Sequence, residues 1–118
     1  MRIFVSGKYE DRFNIRILQG RLQSMGHKIV EDWTYHEYTD KGYPVEYAED
    51  DIKGVKKCDV YVGRFIADYN YKGSLTELGI ALVLNKEVCV IGHAIDDNIF
   101  VNLCKRYDNE EQFLEDYK

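Results

Sequence analysis

Residues 58–92 read CDVYVGRFIADYNYKGSLTELGIALVLNKEVCVIG, two short apolar runs on either side of a longer mixed segment. Cys58–Gly63 and Val88–Gly92 have the length and content of buried strands, and the segment between them opens as a helix at Lys72-Gly73-Ser74. Leu78, Ala81 and Leu82 recur at helical spacing, and the pattern predicts a helix to about Leu84–Asn85. A strand, a helix and a second strand in this order specify a parallel pair with a helical crossover. At the head of the helix Gly73 tolerates backbone angles that a side chain forbids, and Ser74 is a good N-cap. Glu77 has two readings here. It closes a Ser-x-x-Glu capping box, or it stands as a nucleophile or base at the mouth of a site.

The same alternation extends outward in both directions. Arg2–Ser6 reads as a buried strand, and a helix follows from Asp11 or Asn14 with Ile15, Leu18, Leu22 and Met25 inward and Gly26 as its C-cap. Lys28–Val30 is a short strand. A polar and aromatic loop then runs from Asp32-Trp33-Thr34 through Tyr43-Pro44, long enough to suggest a binding loop or lid. Residues 45–57 form a helix with Ala48, Ile52 and Val55 predicted inward. Beyond Gly92, Ile99–Val101 reads as a short helical turn and Leu103–Tyr107 as a final strand. A closing helix turns Phe113, Leu114 and Tyr117 inward. The sum is one α/β domain over residues 1–118: three layers, Rossmann/flavodoxin-like, with a parallel five-stranded sheet and helices on both faces. Ligands of such sheets bind beyond the carboxyl ends of the strands. Those ends fall at Ser6-Gly7, Asp32-Trp33-Thr34, Gly63-Arg64-Phe65 and Gly92-His93.

Composition narrows the function. A formal charge of −5 and a pI near 5.2 speak against a nucleic-acid polymer as partner. Lys53, Lys56 and Lys57 read as a solvated helix face. No apolar run reaches bilayer-spanning length, and the opening Met1–Val5 enters a strand rather than a signal peptide. Three widely spaced cysteines, Cys58, Cys89 and Cys104, suit a reducing compartment, so the expected location is cytoplasmic. No cysteine pair has metal-ligand spacing, and His27, His36 and His93 lack the helical spacing of a zinc site. No metal and no other cofactor is expected. Neither a Gly-x-Gly-x-x-Gly nor a Walker loop follows the first strand, so generic dinucleotide or triphosphate binding has no support.

Two stretches taken together carry more. Asp50-Asp51-Ile52-Lys53-Gly54-Val55-Lys56-Lys57-Cys58-Asp59-Val60 and Gly73-Ser74-Leu75-Thr76-Glu77-Leu78-Gly79 resemble the nucleoside 2-deoxyribosyltransferase superfamily, which includes the 2'-deoxynucleoside 5'-phosphate N-hydrolases. The opening Ile3-Phe4-Val5-Ser6-Gly7 is similar to the first strand and sugar-side loop of that family. The resemblance implies Glu77 as the nucleophile at the anomeric carbon and Asp51 as acid or base near the departing base, with Asp50 as its possible substitute. It implies Ser6, Gly7, Gly73 and Ser74 near the sugar or a 5'-phosphate. Asn98 stands where the family reaches into a neighbouring subunit, which implies a homo-oligomer whose sites are completed by a neighbour. The implied partner is a nucleoside or nucleotide. Asp32 and Trp33 are candidates for the base pocket by loop position alone.

The chain also departs from the family pattern. Phe4 stands where a tyrosine often orients the nucleophile, which leaves Tyr9, Tyr35 or another of the ten tyrosines to hold Glu77. Tyr71-Lys72 stands where transferases often place a base-reading acid. Lys72 there favours a phosphorylated substrate over base exchange. The chemistry is coherent without the family. N-glycosidic cleavage passes through an oxocarbenium-like state and needs one ionised carboxylate and one proton donor. A helix N-terminus is expected to keep Glu77 ionised, and the neighbouring Asp50 to hold a proton on Asp51. The competing expectation is a catalytically silent nucleotide-binding module on the same fold.

Overall fold

The computed structural model describes residues 1–37 and 44–118. Residues 38–43, in the middle of the loop predicted as a lid, lie outside the described residues. Five strands form one parallel sheet: β1 (Arg2–Ser6), β2 (Lys28–Ile29), β3 (Val60–Arg64), β4 (Glu87–Ile91) and β5 (Lys105–Tyr107). Their spatial order is β2-β1-β3-β4-β5, so strand order reverses between β1 and β3. The register there pairs Phe4 with Tyr61 and Ser6 with Gly63. Four helices connect and close the sheet: α1 (Arg12–Ser24), α2 (Val45–Lys57), α3 (Lys72–Val83) and α4 (Glu110–Asp116). Helices α2 and α3 pack on each other, and α1 is tied to α4 by the Arg21–Glu111 ion pair. This is the α/β fold that the alternation predicts, with small shifts at element ends.

The strands are apolar along their whole length because both faces are covered. Ile3, Phe4, Val5, Val60, Tyr61, Val62 and Cys89–Ile91 are buried, and Ile15, Leu18 and Leu22 of α1 meet them from one side. Gly26, at φ +94°, ends α1 in the left-handed region as the sequence predicts. Gly92 ends β4 at φ +96°, where an added Cβ would lie 2.4 Å from the carbonyl oxygen of Phe65. Only glycine fits that approach. Cys58 and Cys89 are buried and Cys104 is half-buried, all three as free thiols.

Two helices depart from the predicted pattern. Of the three α2 residues predicted inward, only Val55 is buried; Ala48 is exposed and Ile52 is 38% exposed. The face turned to the sheet carries Tyr47, Asp50, Asp51, Gly54 and Val55 instead. Helix α3 begins at Lys72, after an N-cap at Tyr71 that makes no side-chain cap bond. Ser74 is therefore inside the helix, and Glu77 lies in the second turn rather than at the third position after a cap. The capping-box reading fails, because the Ser74 hydroxyl donates across to the carbonyl of Gly7 at 2.8 Å.

Candidate active site

A cavity of about 430 Å³ opens at the carboxyl end of the sheet, over the reversal between β1 and β3. Two segments wall it, Gly7–Glu10 after β1 and Asn70–Ser74 leading into α3, together with the single residues Trp33, Asp51 and Glu77. The volume is that of a small-molecule site. Glu77 and Asp51 come from the two helices that pack on one sheet face. Strand alternation puts Phe4, Ser6 and Tyr61 beneath them on that same face.

The carboxylate of Glu77 accepts a hydrogen bond from the hydroxyl of Ser6 at 2.8 Å. Ser6 is 0% exposed. The neighbouring Tyr61 phenol donates to the carbonyl of Ser74 at 2.8 Å. Glu77 thus rests on a buried hydroxyl of β1. Phe4 stacks on Tyr61, with centroids 6.0 Å apart, and leaves the orienting bond to Ser6. Of the tyrosines proposed for that task, Tyr35 is exposed on its 3-10 turn and Tyr9 lies on the cavity wall. Tyr61 was missed in the sequence because it reads as one more apolar residue of a strand. The usable signal was that a phenol in a central strand must find a buried partner.

Asp51 reaches the same point from α2 and hydrogen-bonds the carboxyl of Glu77. Its Oδ1 is buried and has no hydrogen-bond partner among the described residues. Burial pushes the Glu77 carboxyl well above the ordinary carboxylate range, Asp51 adds to the rise, and the Ser6 bond partly opposes it. Asp51 is also raised, by burial first, while its bond with Glu77 and the charge of His36 pull it down. The expected lowering at Glu77 is therefore overturned, while the expected rise at Asp51 is found, caused by burial before the neighbouring Asp50. Each carboxylate so close to the other disfavours the ionised form of its partner. The dipole argument failed because α3 starts earlier than predicted, which takes Glu77 out of the first turn where the dipole acts.

The remaining predicted residues divide. Gly7, Trp33, Gly73 and Ser74 line the cavity. Trp33 is fixed by its indole N–H, which donates to the Val5 carbonyl at 2.6 Å. Ser6 lies under the wall rather than on it, in contact with Glu77. Asp32 does not line the cavity: it caps the 3-10 turn Trp33–Tyr35, accepting from the Thr34 amide, and it takes a bond from Gln19. Loop position alone could not separate a cap from a pocket wall. Asn98 caps the 3-10 turn Ile99–Leu103 through Phe100 N–H at 2.9 Å, away from the cavity of its own chain. Asp50 stands off the wall beside Glu31 and His36. Lys8, Glu10 and Asn70 line the cavity without having been singled out; Lys8 Nζ donates to the Asn70 carbonyl at 2.7 Å and links the two loops.

Glu31, His36 and Asp50 each bring a potential donor atom within 4.8 Å of the others. The imidazole is already engaged by Glu31 at 3.3 Å, and no fourth donor joins them among the described residues. The cluster is assigned as a hydrogen-bonded His36–Glu31 contact beside a neighbouring acid, not as a metal centre. Among the described residues no helix is long and apolar enough to cross a membrane.

Sequence comparison finds no matching family model and no matching curated relative. Structural comparison does. The chain is similar to a CMP N-glycosidase from Clostridium botulinum at 16% identity, with a TM-score of 0.67 over 98% of this chain and 97% of that one. It is similar to a 2-deoxyribosyltransferase from Bacillus psychrosaccharolyticus at 15% identity, with a TM-score of 0.77 over 96% and 90%. A conserved protein from Enterococcus faecalis matches at 16% identity, with a TM-score of 0.76 over 99% and 96%. Over nearly its whole length, the chain carries the fold that an N-glycosidase and a deoxyribosyltransferase share.

Proposed function

We propose that the protein cleaves or transfers the N-glycosidic bond of 2'-deoxynucleosides or their 5'-monophosphates through a covalent glycosyl-Glu77 intermediate. One observation carries this reading: two carboxyls from different helices, Glu77 and Asp51, line one cavity placed at the strand reversal. An N-glycosidase and a deoxyribosyltransferase on the same fold support it.

The chemistry follows from the pair. With substrate bound, a proton moves from Glu77 to Asp51, and Glu77 becomes the nucleophile. Glu77 attacks the anomeric carbon as the bond to the base breaks, and Asp51 delivers its proton to the departing nitrogen. Ser6 keeps the attacking oxygen aligned throughout. A water or a second base then takes the sugar from Glu77, and Asp51 accepts or exchanges the proton, which restores a singly protonated pair. Two features favour a monophosphate. Lys8 and Lys72 lie on the cavity wall, and the N-terminal turn of α3 presents Gly73 and Ser74 there, a setting suited to an anion.

The test is release of free base from deoxynucleosides, deoxynucleoside monophosphates and CMP, each with and without an acceptor base. Turnover of one of these that falls on the order of 10³-fold or more in Glu77→Ala is the expected result. Ligand binding with no turnover would establish the silent binding module instead. Turnover that survives Glu77→Ala would remove Glu77 as nucleophile.

A further inference from the structure

Trp33 is the single tryptophan of the chain, and the bonds that hold it come from residues the proposed reaction leaves unused. It stands on a 3-10 turn of three residues, Trp33–Tyr35, shortly after the two-residue strand β2. A turn this short fixes little by its own backbone bonding. One such bond closes it, from the His36 amide to the Trp33 carbonyl at 2.9 Å. Side chains dock it to the rest of the fold. The indole N–H reaches the Val5 carbonyl on β1 at 2.6 Å. Helix α1 supplies the other bonds through Arg16 and Gln19, which share one helix face.

Arg16 grips the residue next to the tryptophan. Its Nε donates to the Thr34 hydroxyl at 3.0 Å and its Nη2 to the Thr34 carbonyl at 2.7 Å. One planar fork thus holds the side chain and the backbone of the same residue, which a lysine could not do. Thr34 is buried, and its hydroxyl donates in turn to Asp32 at 2.5 Å. Asp32 also accepts from the Thr34 amide and from the buried Gln19. The path Arg16–Thr34–Asp32–Gln19 therefore begins and ends on α1. The guanidinium is itself held over two rings, its Cζ 3.8 Å from the Tyr35 centroid and 5.2 Å from that of Phe13. A bonded polar network of this kind specifies one geometry where apolar packing would permit several.

We propose that Arg16 is a positioning residue for Trp33: through Thr34 it fixes the turn on α1, and with it the indole as a rigid wall of the cavity against which the ligand's base is placed. This rests on the N-glycosidic reading of the site. Trp33 lines the same cavity as Asp51 and Glu77, and Arg16 does not line it. Arg16 therefore reaches a ligand only through the turn. Glu77 and Asp51 act on atoms that must be held within a fraction of an ångström, so a wall that shifts loosens the placement of the base before it affects either acid. No charge or proton transfer is asked of Arg16. If apolar burial alone held the indole, the fork geometry of the guanidinium would be irrelevant.

The experiment uses the whole chain and two variants: Arg16→Lys, which keeps the charge and the stem but loses the fork, and Thr34→Ser, which keeps the hydroxyl. Fluorescence reads the indole directly, because no other tryptophan contributes. In Arg16→Lys the anisotropy decay of Trp33 is expected to gain a faster component, and acrylamide to quench it more strongly. Base release should show a several-fold higher KM with kcat little changed. Thr34→Ser should match the parent in both readouts. An Arg16→Lys chain with the parent's anisotropy and KM would overturn the proposal. So would a Thr34→Ser chain as impaired as Arg16→Lys, since packing of the Thr34 methyl would then be the cause. A fall in kcat at unchanged KM would also overturn it, because placement of the base would not be what Arg16 governs. A wild-type chain inactive on every nucleoside and nucleotide would overturn the nucleoside reading, while the Trp33 anisotropy would still decide whether Arg16 holds the indole.

Discussion

Helices α1 and α2 are each 13 residues long, and they obey opposite rules. In α1 the apolar residues at helical spacing, Ile15, Leu18 and Leu22, are fully buried. In α2 the same logic selects Ala48, Ile52 and Val55, and only Val55 is buried; Ala48 and Ile52 are exposed, as is Val45 at 65%. The helix has turned Asp50 and Asp51 inward, while Glu46 and Glu49 face out. The reason lies in what each helix covers. Helix α1 covers packed strand, where transfer of apolar surface from water decides orientation. Helix α2 covers Phe4 at one end and the cavity at the other, and it approaches closely only through Gly54. A helix that forms the wall of a site is oriented by the site.

Truncation should separate the two helices most strongly. Ile15→Ala removes a fully buried side chain and is expected to cost about 2–4 kcal/mol. Ile52→Ala should lie within about 0.5 kcal/mol of the parent. Urea unfolding midpoints measure both. An equal cost at the two positions would break the contrast and mean that the outer face of α2 is covered.

The same contrast explains what could be read in the sequence. The sheet, its parallel sense and the position of the site were legible because strand runs and α1 follow burial periodicity. That Glu77 and Asp51 share one cavity was legible from the resemblance of two motifs. Their ionisation was not, because it depends on where α3 starts and on the Asp51–Glu77 contact, neither of which is local. The sequence placed Ser6 near a sugar or phosphate; its hydroxyl is buried and donates to Glu77, a partner that loop position does not reveal. Asp32 shows the converse, since an acid beside a tryptophan in a loop is as good a cap as a pocket residue. The approach of Glu31 and His36 to α2 was invisible because it depends on a left-handed residue and on a glycine of that helix.

Gly54→Ala tests the close approach on which α2 depends. Alanine favours a helix interior by about 1 kcal/mol, yet here its methyl would press on Glu31 Cβ and the Phe4 ring. Overpacking of this kind costs about 1–3 kcal/mol, so a net loss of up to about 2 kcal/mol is expected by thermal or urea unfolding. Base release should fall as well, since Asp51 lies one turn away on the helix that is pushed outward. A stabilised variant with full activity would mean that α2 is free to relax and that Gly54 does not set its position.

The smallest effect is also the one that probes the acid pair itself. Below the ordinary glutamate value of 4.5, Glu77 is protonated in both the folded and unfolded chain and contributes no pH dependence. As pH rises above it, the unfolded chain releases the proton while the folded chain, with Glu77 held well above that value, retains it. The native state therefore loses stability relative to the unfolded state until pH passes the raised folded value. Glu77→Gln keeps the shape and removes the titration. Its Tm should match the parent near pH 4 and exceed it at neutral pH. The gap should widen as pH increases. If the two proteins melt together at neutral pH, Glu77 is ionised in the free site, and the proton of the pair must be assigned to Asp51 instead.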